Sequence, residues 1–78
     1  MVASLLDRMR SNPVGDWQIG DVEALCREHG IGFRRGKGSH AHAKHPMARE
    51  ILTIPARRPT KPVYIRKLVR YIESYGGH

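Results

Sequence analysis

The sequence predicts a small α+β domain, a three-stranded antiparallel sheet with helices packed on one face. Three observations lead there. Apolar residues recur at three-to-four spacing before residue 30 and after residue 62, the period of a helix with one buried stripe. Between them lie three short runs punctuated by Gly and Pro, as strands are. In the middle run, Ala41 and Ala43 alternate with His40, His42 and Lys44. One sheet face is therefore small and apolar and meets helices, while the other stays open. With 78 residues the chain makes one domain, and one this short buries only roughly 60–65% of its unfolded surface. We expect a single unit over 1–78, with 1–17 a helical extension and 19–75 the core.

Residues 3–11 read as a short helix. Ser4 caps it, Leu5, Leu6 and Met9 form its stripe, and Asn12-Pro13 stops it. Alone it is too short to persist in water, so it must dock, with Trp17 as anchor. Val14-Gly15-Asp16 is turn chemistry. A second helix spans about 20–29. Asp21 and Glu23 favour its positive end, Val22, Leu25 and Cys26 make its buried face, and Gly30 is a left-handed stop. The strands are 31–35, 39–45 and 50–54. Ile31 and Phe33 share a face of the first, Gly36-Lys37-Gly38 joins it to the second, and Pro46 to Arg49 turns the chain. Leu52 and Ile54 point inward on the third, which Pro55 closes for want of a donor. A basic loop over 56–61 leads to Pro62, which suits the first turn of a helix. There Tyr64, Ile65, Leu68, Val69, Ile72 and Tyr75 form the stripe, Tyr71 lies off it and should be open, and Gly76-Gly77 ends the helix.

The net charge of +7 is unevenly placed. Between Arg34 and Arg70 stand eleven Lys or Arg and one acid, Glu50, whereas the first thirty-three residues hold five acids and three cations. Such a division implies a polyanion partner for the second half, nucleic acid being the commonest. The plain alternative is a solvated basic surface. Cys26 has no second cysteine to pair with and sits on an apolar stripe, so it reads as buried and inert. That suits a reducing cytoplasm. No apolar run reaches the ~18 residues of a membrane span, and no signal-peptide core appears, so a protein away from membranes is expected.

The stretch Arg34 to Pro46 holds three histidines, four cations, two glycines and a serine in thirteen residues, with no acid. Strand alternation sets His40, His42 and Lys44 on one face, ~6.6 Å between alternate residues. RNA carries its own nucleophile: once a 2′-OH loses its proton, that oxygen attacks the adjacent phosphorus. Histidine serves as base or acid near neutral pH, and cations stabilise charge gathering on the phosphoryl oxygens. His40 follows a Gly38-Ser39 turn, where backbone can approach a ligand closely, and is the candidate catalytic residue. Arg35, Lys37 and Lys44 are placed to hold phosphate, Gly38 and Ser39 to set the turn. His42 reads equally as a nucleic-acid contact or a catalytic group. His45 reads as structural, supporting the turn before Pro46, and His29 as a favourable cation at a helix C-terminus. His40-x-His42-x-x-His45 echoes a zinc cluster, but alternation sends His45 to the other face and no Cys or carboxylate completes the shell. Gly32 to Lys37 echoes a phosphate-binding P-loop with the wrong glycine spacing and with Gly38 where Ser or Thr belongs. Neither a metal nor a cofactor is expected.

Gly30-Ile-Gly-Phe-Arg-Arg-Gly-Lys-Gly-Ser-His40, then Lys44-His45-Pro46, Leu52-Thr-Ile-Pro55, and Lys61-Pro62 opening a helix with Ile65, Leu68 and Val69, resembles the HicA toxins of bacterial type II toxin–antitoxin systems. The match covers about residues 20–73. The resemblance implies a double-stranded-RNA-binding-domain-like α-β-β-β-α fold used as an mRNA endoribonuclease. It makes His40, in the Gly-Ser-His motif, the essential residue, and it implies a HicB-type antitoxin that covers the toxin. Two positions depart from the family pattern. Ala43 replaces a usual Phe or Tyr, so Phe33 or Trp17 must fill space behind the strand, and Arg57 stands in the region where many members carry a histidine. The helix before Trp17 is an addition. A non-catalytic RNA-binding domain of the same architecture is the alternative, and a module whose basic face meets an acidic protein is a third reading.

Overall fold

Six elements follow one another in the order the sequence predicts: α1 (Leu5–Ser11), α2 (Ile19–Glu28), β1 (Gly32–Arg35), β2 (His40–Lys44), β3 (Leu52–Pro55) and α3 (Pro62–Ser74). The structure is a computed structural model and describes residues 4–36, 38–56 and 60–75. Lys37, Arg57, Arg58, His78 and the Gly76-Gly77 helix stop lie outside the described residues.

The N-terminal helix begins where a hydroxyl can take up a free amide. Ser4 Oγ accepts from Asp7 N at 3.1 Å, and Leu6 and Met9 turn inward. Trp17 is buried. Its indole donates to the Asn12 carbonyl at 2.7 Å, its own carbonyl accepts from Thr60 N at 2.7 Å, and Arg8 lies over its ring at 5.5 Å. One residue, through its ring and its main chain, thereby ties α1, the turn after it and the approach to α3. Arg10 bridges Asp7 on its own helix, at 2.6 Å, and Glu73 on α3, at 2.8 Å. Leu6, Met9 and Trp17 belong to the same core as Val22, Leu25, Ile54 and Leu68, so the expected extension shares the hydrophobic interior of the rest.

Helix α2 opens with Asp21 accepting from Gln18 N at 2.8 Å and buries Val22, Leu25 and Cys26. Gly30 then takes φ 67°, a left-handed turn that a Cβ would strain, and the chain enters β1. Burial pushes the Cys26 thiol up to about 11, as an inert interior thiol requires.

The sheet has the order β1-β2-β3, antiparallel throughout. Ala41 and Ala43 are buried, and so is Ile54 beside Ala41 in the register. Phe33 pairs with Ala43 and packs against the core, next to the small residue whose missing bulk had to be filled. This face carries the helices. The residues opposite in register, Arg34 with His42 and His42 with Thr53, point the other way.

Helix α3 starts at Pro62 and buries Ile65, Leu68, Val69 and Ile72. Tyr71 is a correction. Expected to be open, it is 7% exposed, because the β2–β3 connection and Tyr75 lie against it. Its hydroxyl accepts from His45 N at 2.9 Å and donates to the Glu50 carbonyl at 3.0 Å, which pins both ends of the β2–β3 connection. No helix among the described residues is long and apolar enough to cross a membrane.

Candidate active site

The open sheet face presents Arg34, His40, His42, Lys44 and Thr53, with no carboxylate among them. The ion pairs among the described residues all lie on the helices: Arg10 with Asp7 and Glu73, and Arg27 with Glu23 at 2.6 Å. Arg34, Lys44 and Lys61 therefore meet no neutralising acid within the described chain. Cations left unpaired on one face raise a positive potential that draws polyanions.

His40 is exposed at the first position of β2. It reaches that place because Gly38 adopts φ 79°, a conformation few other residues tolerate, and because Gly36 N donates to the His40 carbonyl at 2.9 Å to close the hairpin. The ring borders a cleft of about 260 Å³ that Ser39, Pro55, Lys61 and Tyr64 complete. Pro55 lies directly opposite His40 in the register. An imidazole, two hydroxyl-bearing residues and an ammonium group thus line one opening, a set able to move a proton, donate hydrogen bonds and offset negative charge.

Not all the anticipated residues gather there. Ser39 and Gly38 stand beside His40 as expected. Lys44 shares His40's face but lies four residues along the strand, about 13 Å away, too far for the two to meet at one small anion. Arg35 pairs with Ala41 and so stems from the helix side of the sheet. Period-two alternation puts Arg34, not Arg35, on the face of His42 and Lys44. The alternation that sets Ile31 and Phe33 on one face sets Arg35 there too, and that face packs on the core. Helical spacing favours core packing or a helix rim over base stacking for Tyr64, and Lys61 reads as a loop cation; only the packing of α3 against the end of β3 brings them to His40.

His42 is half-buried and held. Its Nδ1 lies 3.1 Å from Thr53 Oγ1 on β3, and its other edge lies against Gly36. His45 proves to be a turn residue: its Nδ1 accepts from Met47 N at 3.0 Å and its ring stacks on Tyr75 with centroids 5.3 Å apart. It lies away from His40 and His42, and no three His, Cys, Asp or Glu side chains converge as a metal shell among the described residues. No protein-family model matches the chain, and neither a curated protein nor a solved structure matches it.

Proposed function

We propose that this chain is an endoribonuclease that cleaves mRNA, the toxin of a HicA-like toxin–antitoxin pair, built on a double-stranded-RNA-binding-domain-like fold and acting in the bacterial cytoplasm. The observation that carries the reading is His40, exposed on an acid-free cationic sheet face at the lip of a cleft shared with Lys61 and Tyr64. The Gly-Ser-His resemblance singles out the same residue. In the step proposed, the His40 imidazole takes the proton of a 2′-OH, the freed 2′-oxygen bonds to the adjacent phosphorus, and the bond from phosphorus to the 5′-oxygen breaks. The leaving oxygen takes a proton from water, giving a 2′,3′-cyclic phosphate and a 5′-hydroxyl end. The nucleophile belongs to the RNA, so the chemistry calls for no metal. Lys61 offsets charge on the phosphoryl oxygens, with Ser39 donating from the turn. His42 and Lys44 extend the contact along the strand. An acidic or neutral antitoxin of the HicB type, laid over this face, would meet complementary charge and block the cleft.

The test is incubation of the purified chain with single-stranded RNA in EDTA, followed by end-group determination. The expected products carry 2′,3′-cyclic phosphate, and His40→Ala abolishes them together with growth arrest on expression. Because His40 is exposed, that variant should melt within about 4 °C of wild type, as surface substitutions in a domain of this size do. RNA binding without cleavage by the wild-type chain, or undiminished cleavage by His40→Ala, would overturn the reading.

A further inference from the structure

A second cavity opens on the same sheet face, about 450 Å³ in volume, lined by Gly32, Phe33, Arg34, His42, Lys44 and Ile51. It is separate from the cleft at His40, with which it shares no lining residue. Its size is that of a pocket for a small organic ligand, and its walls differ in kind. Arg34 and Lys44 supply two cations without a carboxylate partner among the described residues. Ile51 is 56% exposed, a large apolar side chain that the core leaves outside at the cavity's edge. The planar His42 ring lines the cavity as well.

That ring is fixed in place from two sides. Thr53 Oγ1 lies 3.1 Å from its Nδ1, while a Cβ on Gly36 would come within 3.1 Å of its Nε2. Gly36 does not have the positive φ found at Gly30 and Gly38, so its backbone does not demand glycine. What glycine provides there is room for the imidazole.

We propose that this cavity is a nucleotide subsite for single-stranded RNA. Arg34 and Lys44 take the phosphate, and an unstacked base lies between the His42 ring and Ile51, as bases do on aromatic and guanidinium planes in single-strand readers. The inference rests on the ribonuclease reading for its choice of RNA and adds where a neighbouring nucleotide sits relative to His40. A phosphate-only site would need no apolar wall, and an acidic peptide would leave Ile51 and the flat ring unused.

The experiment is a heteronuclear NMR titration of the full chain with a 2′-fluoro uridine tetranucleotide, which lacks the nucleophile and is not cut. The expected result is saturable shifts of the Arg34, His42, Lys44 and Ile51 amides and of the His42 ring, with at least tenfold weaker binding to Arg34→Glu and partial recovery in Arg34→Lys. Lys44→Glu gives the same reading if Arg34→Glu does not fold. Shifts confined to the surroundings of His40, or affinity within twofold of wild type in the folded charge-reversed variants, would overturn the subsite. So would hexaglutamate shifting these residues at lower concentration than the tetranucleotide. The two readings fail separately. Saturable shifts in this cavity with no cleavage of natural RNA remove the nuclease and keep the subsite, whereas His40-dependent cleavage without those shifts does the reverse.

Discussion

Single residues decide which parts of this surface are fixed. Tyr71 is the clearest case. Its hydroxyl takes one hydrogen bond and gives another, joining His45 N to the Glu50 carbonyl. Tyr71→Phe keeps the packing but leaves a donor at His45 and an acceptor at Glu50 without their partner. An unsatisfied buried group costs about 1–3 kcal/mol, and urea denaturation should show a loss in that range with an unchanged m-value. A loss below the measurement error would mean that water replaces the hydroxyl at no cost. The helical stripe in the sequence placed Tyr71 outside because such a pattern reports only what one face buries. It is blind to a hydroxyl that reaches past the sheet edge to main-chain atoms, and the pairing of His45 with Tyr71 spans 26 residues. His40 was legible for the opposite reason: its glycine turn, its serine and its place in an alternating strand are all local. Gly36 reads locally as turn chemistry, and the space that it leaves for the His42 ring depends on the register that sets the ring beside it.

At the scale of elements, all six were legible, with ends shifted by one or two residues, as hydrogen-bonded boundaries commonly are. What local pattern could not give was the depth at which α1 is set. A seven-residue helix has no stability of its own, yet Met9 is fully buried among side chains of the main core. Met9→Ala should therefore cost about 2–5 kcal/mol, as for large core truncations, and should unfold the domain in one transition followed identically by far-ultraviolet and Trp17 signals. An early, separate loss of the Trp17 signal would show α1 to be an independent appendage. The β3 approach carries a pH-sensitive tie. Tyr75 donates a hydrogen bond to the Glu50 carboxylate, and that bond holds Glu50 below its ordinary 4.5. Asp7 is likewise held below 3.8, first by the Ser4 hydroxyl and then by Arg10. A carboxylate whose folded value is depressed stabilises the fold above its unfolded value, and the contribution fades as pH falls through the folded one. Stability should thus decline below about pH 4.5, and Glu50→Gln should flatten the upper part of that decline. A variant with the wild-type acid slope would show that Glu50 is not paired in solution.

For the whole molecule, charge is divided as the elements are. The helices α1 and α2 hold most of the acids, and the ion pairs among the described residues involve helical residues alone. The sheet and the start of α3 hold cations that the described chain leaves without acidic partners. This division was plain in the sequence, because eleven of the fourteen basic residues fall after Gly32 with only two acids. Its collection onto one open face depended on the sheet register. Folding therefore gains little from these cations, and under the ribonuclease reading proposed above they are the groups that meet RNA. Binding that neutralises phosphates releases condensed counterions, and for single strands the logarithm of affinity falls with the logarithm of salt at a slope of about −0.7 per phosphate contacted. Contacts from Arg34, Lys44 and Lys61 together give a slope of about −2. Fluorescence anisotropy with an uncut 2′-fluoro RNA between 50 and 200 mM salt, both values on the order of common buffers, measures it directly. Charge reversal at Arg34 or Lys61 should make the slope shallower by about one contact each, whereas reversal at Arg27, which is already paired with Glu23 on α2, should leave it unchanged. A slope near zero in the wild-type chain would mean that RNA, if it binds, is not held by this face, and both the cleft at His40 and the neighbouring cavity would lose the electrostatic argument that joins them.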